Sequence, residues 1–289
     1  MTAGQAAYLD VGRDPRPPRV RFPAGSCDCH FHVFEAAERF PYAEPRSYTP
    51  TPATLADYRQ MAMRLGIERS VLVHPSVYGR DHRSFEAVLA AGGDLMRGVA
   101  VVYGDTPEAD VARWHALGAR GTRVNALFAG GAALADLSRI AALVRPFDWH
   151  LQLLIDVGAS PDLAVQAAGL GLPLVVDHFG HLAAQRGPKD PGFANLLALV
   201  REGRAWVKLS GAYRVSATRG DYADVRPLAE ALLAANPDQL VWGSDWPHPA
   251  IAAPMVDDGE LADLLVDWFC DEDRRRILVD NPARLYWAR

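Results

Sequence analysis

The feature that most limits what this chain can fold into is an eightfold alternation of short apolar runs with longer amphipathic segments. The apolar runs are Ser26–His32, Ser70–His74, Met96–Val102, Gly121–Asn125, His150–Asp156, Leu174–His178, Ala205–Ser210 and Leu240–Ser244. Several, such as Val71–Val73 and Leu174–Val176, are apolar at consecutive positions, the pattern of a parallel strand covered on both faces. Helical segments are expected between them at Thr54–Leu65, Arg83–Ala91, Pro107–Leu117, Leu134–Val144, Pro161–Gly169, Phe193–Arg201, Val225–Ala235 and Asp258–Phe269. Eight such units close into a (β/α)8 TIM barrel of the α/β class, and 289 residues suit a fold that takes ~250. An open doubly wound sheet is disfavoured, because no Gly-rich phosphate turn follows the first strand. Residues 1–24, with Pro15, Pro17, Pro18 and Pro23, read as an N-terminal arm, and residues 25–289 as a single barrel domain. Glu35–Thr51 and Gly211–Asp221 are long for βα loops, and loops of that kind roof barrel active sites.

Composition narrows the partners. A net charge of -5 with no separate basic block argues against nucleic acid. Three cysteines, Cys27, Cys29 and Cys270, form no disulfide framework. The first 25 residues carry arginines among prolines and lack the apolar core of a secretory signal. No apolar run approaches the ~18 residues that span a bilayer, so a soluble cytoplasmic protein is expected, free to form oligomers.

Polar residues cluster where the strands end. Asp28–His32, His74–Ser76, Thr122–Asn125, Asp177–His181, Lys208–Arg214 and Gly243–His248 each follow an apolar strand. In a barrel these points converge on one face, where active sites sit. His30 and His32, one residue apart on a strand, project to the same side and can hold a metal or polarise a carbonyl. Alternation sets Cys27 and Cys29 opposite Asp28 and the two histidines, or packs them in the core. His178 and Asp245 end two further strands, and a carboxylate after the eighth strand can take a proton from water. Asp245 could instead cap a helix, but Pro247 and Pro249 oppose an immediate helix start.

Arg123 and Arg214 are candidates for binding a carboxylate, Arg214 being the more easily explained as a surface residue. Ser76, Tyr48 and Tyr78 are hydroxyl donors on lid loops. His181 and His248 either touch substrate or bond a loop, and Lys208 points into the barrel as part of an ion pair. His82, His115 and His150 read as structural.

Asp28-Cys29-His30-Phe31-His32, Asp177-His178-Phe179-Gly180, Lys208-Leu209-Ser210-Gly211, Trp242–His248 and Asn281–Tyr286, in that order, resemble the amidohydrolase-2 type of TIM-barrel hydrolases from about Ser26 to Trp287. Within that family the likeness is to the lactonases, which include 2-pyrone-4,6-dicarboxylate, sugar-lactone and sulfomuconolactone hydrolases. The resemblance implies hydrolysis of a cyclic ester, with Asp245 activating water and His30, His32 and His178 polarising the carbonyl or holding a metal. It also implies that Arg123, Arg214, Ser76 and Tyr48 bind a carboxylated substrate.

The sequence departs from the pyrone lactonase pattern in three places. No second arginine follows Arg123 in Val124–Gly131, Ile155 stands where a tyrosine is expected, and His181 replaces an arginine. A lactone with one carboxylate, or a differently substituted ring, is therefore expected. Asn125 and Asp156 stand near the positions of the bridging ligands, which argues against a binuclear centre. No metal is expected to be required, and the alternative is one Zn²⁺ or other divalent ion on His30, His32, His178 and Asp245. The rival functions are a Zn-dependent nonoxidative decarboxylase and a catalytically silent barrel that binds a small acid.

Overall fold

The computed structural model describes residues 14–128, 131–132, 134–218, 220–251 and 254–288. Its strands are β1 (Cys27–Phe31), β2 (Arg69–Val73), β3 (Met96–Ala100), β4 (Ala119–Asn125), β5 (His150–Leu154), β6 (Leu174–Val176), β7 (Ala205–Leu209) and β8 (Leu240–Trp242). Each pairs in parallel with the next, in the order β1 through β8. The ring closes just beyond β8. There Asp245 N donates to His30 O at 2.8 Å, His32 N donates to Trp246 O at 2.8 Å, and Phe31 bridges Trp246 in parallel. The barrel is thus sealed at the end that carries the candidate residues.

The helices are α1 (Leu55–Leu65), α2 (Arg83–Gly92), α3 (Glu108–Ala116), α4 (Leu137–Val144), α5 (Leu163–Ala168), α6 (Pro191–Arg201), α7 (Ala212–Val215), α8 (Arg226–Ala235), α9 (Asp258–Trp268) and α10 (Asp271–Arg275). All eight expected strands and helices form, and α7 and α10 are additional short ones. Their starts are set by local chemistry. Thr54 and Asp57 form a reciprocal capping box on α1, Asp190 caps α6 with Pro191 in the first turn, and Asp257 caps α9. Gly66 ends α1 with a φ of 89°, a conformation that a side chain would strain.

Two apolar layers explain the consecutive hydrophobic runs. Cys27, Val71, Val99, Val175 and Val241 pack inside the barrel beneath the site with Tyr286, and the other strand faces pack against the helices. Residues 14–24 are neither helix nor strand. Arg16 and Arg19 there bond to Asp263 on α9; residues 1–13 of the expected arm lie outside the described residues. Among the described residues no helix is long and apolar enough to cross a membrane.

Two local features depart from the simple pattern. Pairing with β2 gains an extra residue between Asp28 and Phe31. This bulge breaks the strict alternation that would have set Asp28 on one face with both histidines. β6 also stops at Val176, not His178, which leaves the ladder with a φ of 50°.

Candidate active site

Asp28 ties the first strand to the last. Its Oδ1 accepts from His30 N at 3.0 Å and Ser244 N at 2.9 Å, and its Oδ2 from Ser244 Oγ at 2.6 Å and Tyr58 OH at 3.1 Å. Burial pushes this carboxyl up to about 6 against the pull of those donors. The bonds fix the backbone on which His30 and Asp245 stand.

The imidazoles are arranged by what lies behind them. His32 Nδ1 must donate to Val73 O at 2.7 Å, so its Nε2 carries a lone pair. That Nε2 faces His30 Nε2 at 3.3 Å. His30 Nδ1 lies 3.3 Å from both Lys208 Nζ and Asp177 Oδ1. Lys208 Nζ also donates to Gln152 Oε1 at 2.8 Å, and Gln152 Nε2 donates to Asp177 Oδ2 at 2.9 Å. If Lys208 donates to His30, His30 Nε2–H donates to His32. If His30 donates to Asp177, two bare Nε2 atoms meet and require a cation between them. His178 Nδ1 pairs with Ser210 Oγ at 2.8 Å, which turns its Nε2 toward Asp245. Burial, ahead of neighbouring charge, lowers the basicity of His30, His32 and His178, so all three are neutral imidazoles near pH 7.

Asp245 occupies the centre. Its Oδ1 lies 3.8 Å from His30 Nε2 and 3.9 Å from His32 Nε2, and its Oδ2 lies 3.9 Å from His178 Nε2. Arg214 Nε donates to Oδ2 at 2.5 Å and Tyr213 OH at 2.7 Å. Burial pushes the Asp245 carboxyl up, but the Arg214 guanidinium outweighs it and holds the group well below the usual range. Asp245 and His178 both adopt positive φ, at 62° and 50°, a left-handed conformation uncommon outside glycine.

The structure brings together His30, His32, His178, Asp245, Arg214, Arg123, Ser76, Tyr48 and His181. All but His30 line one cavity, and His30 lies directly beneath it, in contact with His32 and Asp245. Arg123 is buried and donates to His74 O at 3.1 Å, while its Nε has no partner among the described residues. Burial, opposed by Arg123, raises the Tyr48 phenol to about 12. Burial and then Arg214 lower His181 to about 4.

Two expectations need correction. Tyr78 does not line the cavity; its OH accepts from Glu35 N at 3.1 Å and anchors the loop after β1. His248 also stands back, with Nδ1 3.1 Å from Tyr213 OH and Nε2 3.2 Å from Asp258 Oδ1. Arg214 is no surface residue, since α7 turns it inward onto Asp245. The sequence reading missed Tyr213, although it stands beside Arg214 in a recognised cluster, and it missed Gln152, whose amide stands between leucines in β5.

His30, His178 and Asp245 offer ligand atoms within 4.8 Å of one another, with His32 beside them. The 3.3 Å between His30 and His32 Nε2 equals the edge of a tetrahedron with ~2.0–2.1 Å bonds. The donor set therefore fits one divalent cation. Asn125 and Asp156 are committed elsewhere, each accepting backbone N–H groups of its own loop.

Comparison with known proteins places the chain among known relatives. The amidohydrolase family model matches residues 27–287. A 4-sulfomuconolactone hydrolase of Hydrogenophaga intermedia is 36% identical, over 93% of this chain and 91% of that protein. A 2-pyrone-4,6-dicarboxylate hydrolase of Comamonas testosteroni is 33% identical, over 97% of this chain and 96% of its own length. An apo crystal structure from Agrobacterium tumefaciens superposes with a TM-score of 0.85 at 29% identity, covering 93% of this chain and 98% of its own.

Proposed function

The chain belongs to the amidohydrolase family, and from that premise we propose that it is a cytoplasmic hydrolase that opens a carboxylated lactone in aromatic-compound or sugar-acid catabolism. The observation that carries this reading is the buried, ionised Asp245 ringed by three neutral imidazoles, with the buried cation Arg123 in the same cavity. The lactone-hydrolysing relatives supply the substrate class.

In the proposed step Asp245 takes a proton as water oxygen bonds to the lactone carbonyl carbon. The developing oxyanion accepts from the Nε2–H of His178, which faces the cavity. Collapse breaks the bond from the acyl carbon to the ring oxygen, and Asp245 returns its proton to that oxygen. General-base assistance contributes typically ~10²–10⁴-fold. Arg123 holds the substrate carboxylate, with hydroxyl support from Ser76 and Tyr48. Tyr213 and Arg214 orient Asp245, and His248 positions Tyr213.

This chemistry runs on the chain's own groups, because Arg214 already neutralises Asp245 and Lys208 supplies the proton that His30 relays toward His32. A single divalent ion on His30, His32, His178 and Asp245 would, when bound, polarise the carbonyl and acidify water. The test is acid release from a panel of aromatic-degradation and sugar lactones, read with a pH indicator, with and without chelator. Ring opening that survives chelation is expected. Carbon dioxide release without ring opening would instead identify a decarboxylase, and binding without turnover a silent barrel.

A further inference from the structure

Arg123 and Asn125 stand two residues apart on β4, so their side chains project to the same side of the sheet, about 6–7 Å apart along the strand. Both line the cavity that holds Asp245, and they are 4% and 8% exposed. Asn125 Oδ1 accepts from Leu127 N at 2.9 Å and Phe128 N at 3.0 Å, an Asx-type turn that shapes the loop after β4. Only the amide oxygen can meet those two donors, so the side chain is fixed and its NH2 is turned away from them. That Nδ2 is buried and has no partner among the described residues, and neither has Arg123 Nε on the same wall.

Buried donors without an acceptor are costly, and two of them on one cavity wall mark a place where a ligand supplies the acceptors. Their neighbours Phe128 and Leu154 bring only apolar side chains to the cavity. Arg123 Nη2 is already committed to His74 O. A guanidinium N–H and an amide N–H on one side can take the two oxygens of one carboxylate, and they carry a single positive charge between them.

We propose that Asn125 is a specificity-determining residue whose Nδ2 donates to the substrate carboxylate that Arg123 pairs with. The proposal rests on the carboxylated-lactone reading of the site and adds the residue that completes its acid-binding wall. It also gives the missing second arginine a physical meaning: a neutral amide supplies the second donor, which suits one carboxylate and adds no charge for another.

The test compares an acid with its amide. Pyroglutamate, a lactam acid that resists ring opening, and pyroglutamamide are titrated calorimetrically into the full chain and into its Asn125→Ser and Asn125→Asp variants. Both substitutions keep an oxygen that can accept from the loop N–H groups, and both remove the donor. A hydrogen bond to a charged group is worth about 10-fold or more in affinity, and one to a neutral acceptor several-fold. Asn125→Ser is therefore expected to weaken pyroglutamate at least ~10-fold and to lower the acid-to-amide affinity ratio about fivefold. Asn125→Asp sets a carboxylate where the donor stood, which repels the acid and accepts from the carboxamide NH2. Its ratio is expected to fall at least ~30-fold. A disturbed loop weakens both ligands alike, so a ratio that Asn125→Ser leaves unchanged overturns the proposal, as does failure of pyroglutamate to bind the wild type. Hydrolysis of the matching 5-oxooxolane-2-carboxylate is assayed alongside. The expected fall in the ratio without hydrolysis upholds Asn125 and rejects the lactonase reading, and hydrolysis with an unmoved ratio does the reverse.

Discussion

The two walls of the barrel mouth are built differently. On the β1–β8 wall, Asp28, His30, Ser244 and Asp245 are at most 1% exposed and bonded to one another or to the strand backbone. On the β4–β5 wall, Arg123 stands with Phe128 and Leu154, and Asn125 spends its side-chain oxygen on its own loop. The first wall has the density of fixed charge that bond-breaking needs. The second offers one cation and apolar surface, which select a substrate without acting on it. Chemistry and specificity therefore respond separately to mutation.

The largest effect on the charged wall is expected from Lys208→Met. It leaves Asp177 buried without its ammonium partner, 3.5 Å away in the native chain. Loss of one member of a buried pair costs about 3–5 kcal/mol, measurable by urea unfolding, and a loss below about 1 kcal/mol would break the account of the barrel interior. Next comes Arg214→Met, expected to lower kcat/KM by about 10²–10³-fold, as removal of a preorganised charged donor does.

The pH profile of Arg214→Met sharpens the same point. In the proposed mechanism, activity needs ionised Asp245 and neutral histidines. Both have depressed pKa values, so activity is retained at neutral pH and lost as pH falls into the acid range. Without Arg214 the Asp245 carboxyl rises toward its ordinary value, and the acid limb moves up by about 1–3 pH units. An unmoved limb would assign it to another group.

Asp28→Asn probes the seam between β1 and β8. The folded carboxyl is raised from 3.8 to about 6, so its contribution to stability is fully present below 3.8 and lost as pH rises through 6. The asparagine variant lacks that loss and gains about 1–3 kcal/mol on wild type between pH 4 and 6.5, read from paired unfolding curves. The smallest effect is expected on the other wall. Phe128→Arg places a second cation near Arg123 and should lower KM for a dicarboxylated lactone about tenfold with kcat unchanged. A change confined to kcat would erase the distinction between the walls.

The barrel was legible because Val71–Val73 and Leu174–Val176 show the two-faced burial of parallel strands, and the site because polar residues interrupt those runs at their ends. His30, His32, His178 and Asp245 stand out for that reason. The bulge in β1 was not legible, since Cys29 and His30 fit strict alternation equally well. Tyr78 and His248 were misplaced because a hydroxyl or imidazole on a loop looks alike whether it faces substrate or braces a neighbour. Arg214 was undervalued because the short helix α7, which turns it inward, leaves too few residues to show a helical period.

The central claim is that Asp245 activates the attacking water, and the direct test is Asp245→Asn on a lactone that wild type opens. Acid release should fall by about 10²–10⁴-fold, with affinity for a non-hydrolysed lactam acid kept within a few-fold. Full turnover by Asp245→Asn would contradict the assignment of the base and, with it, the lactonase mechanism.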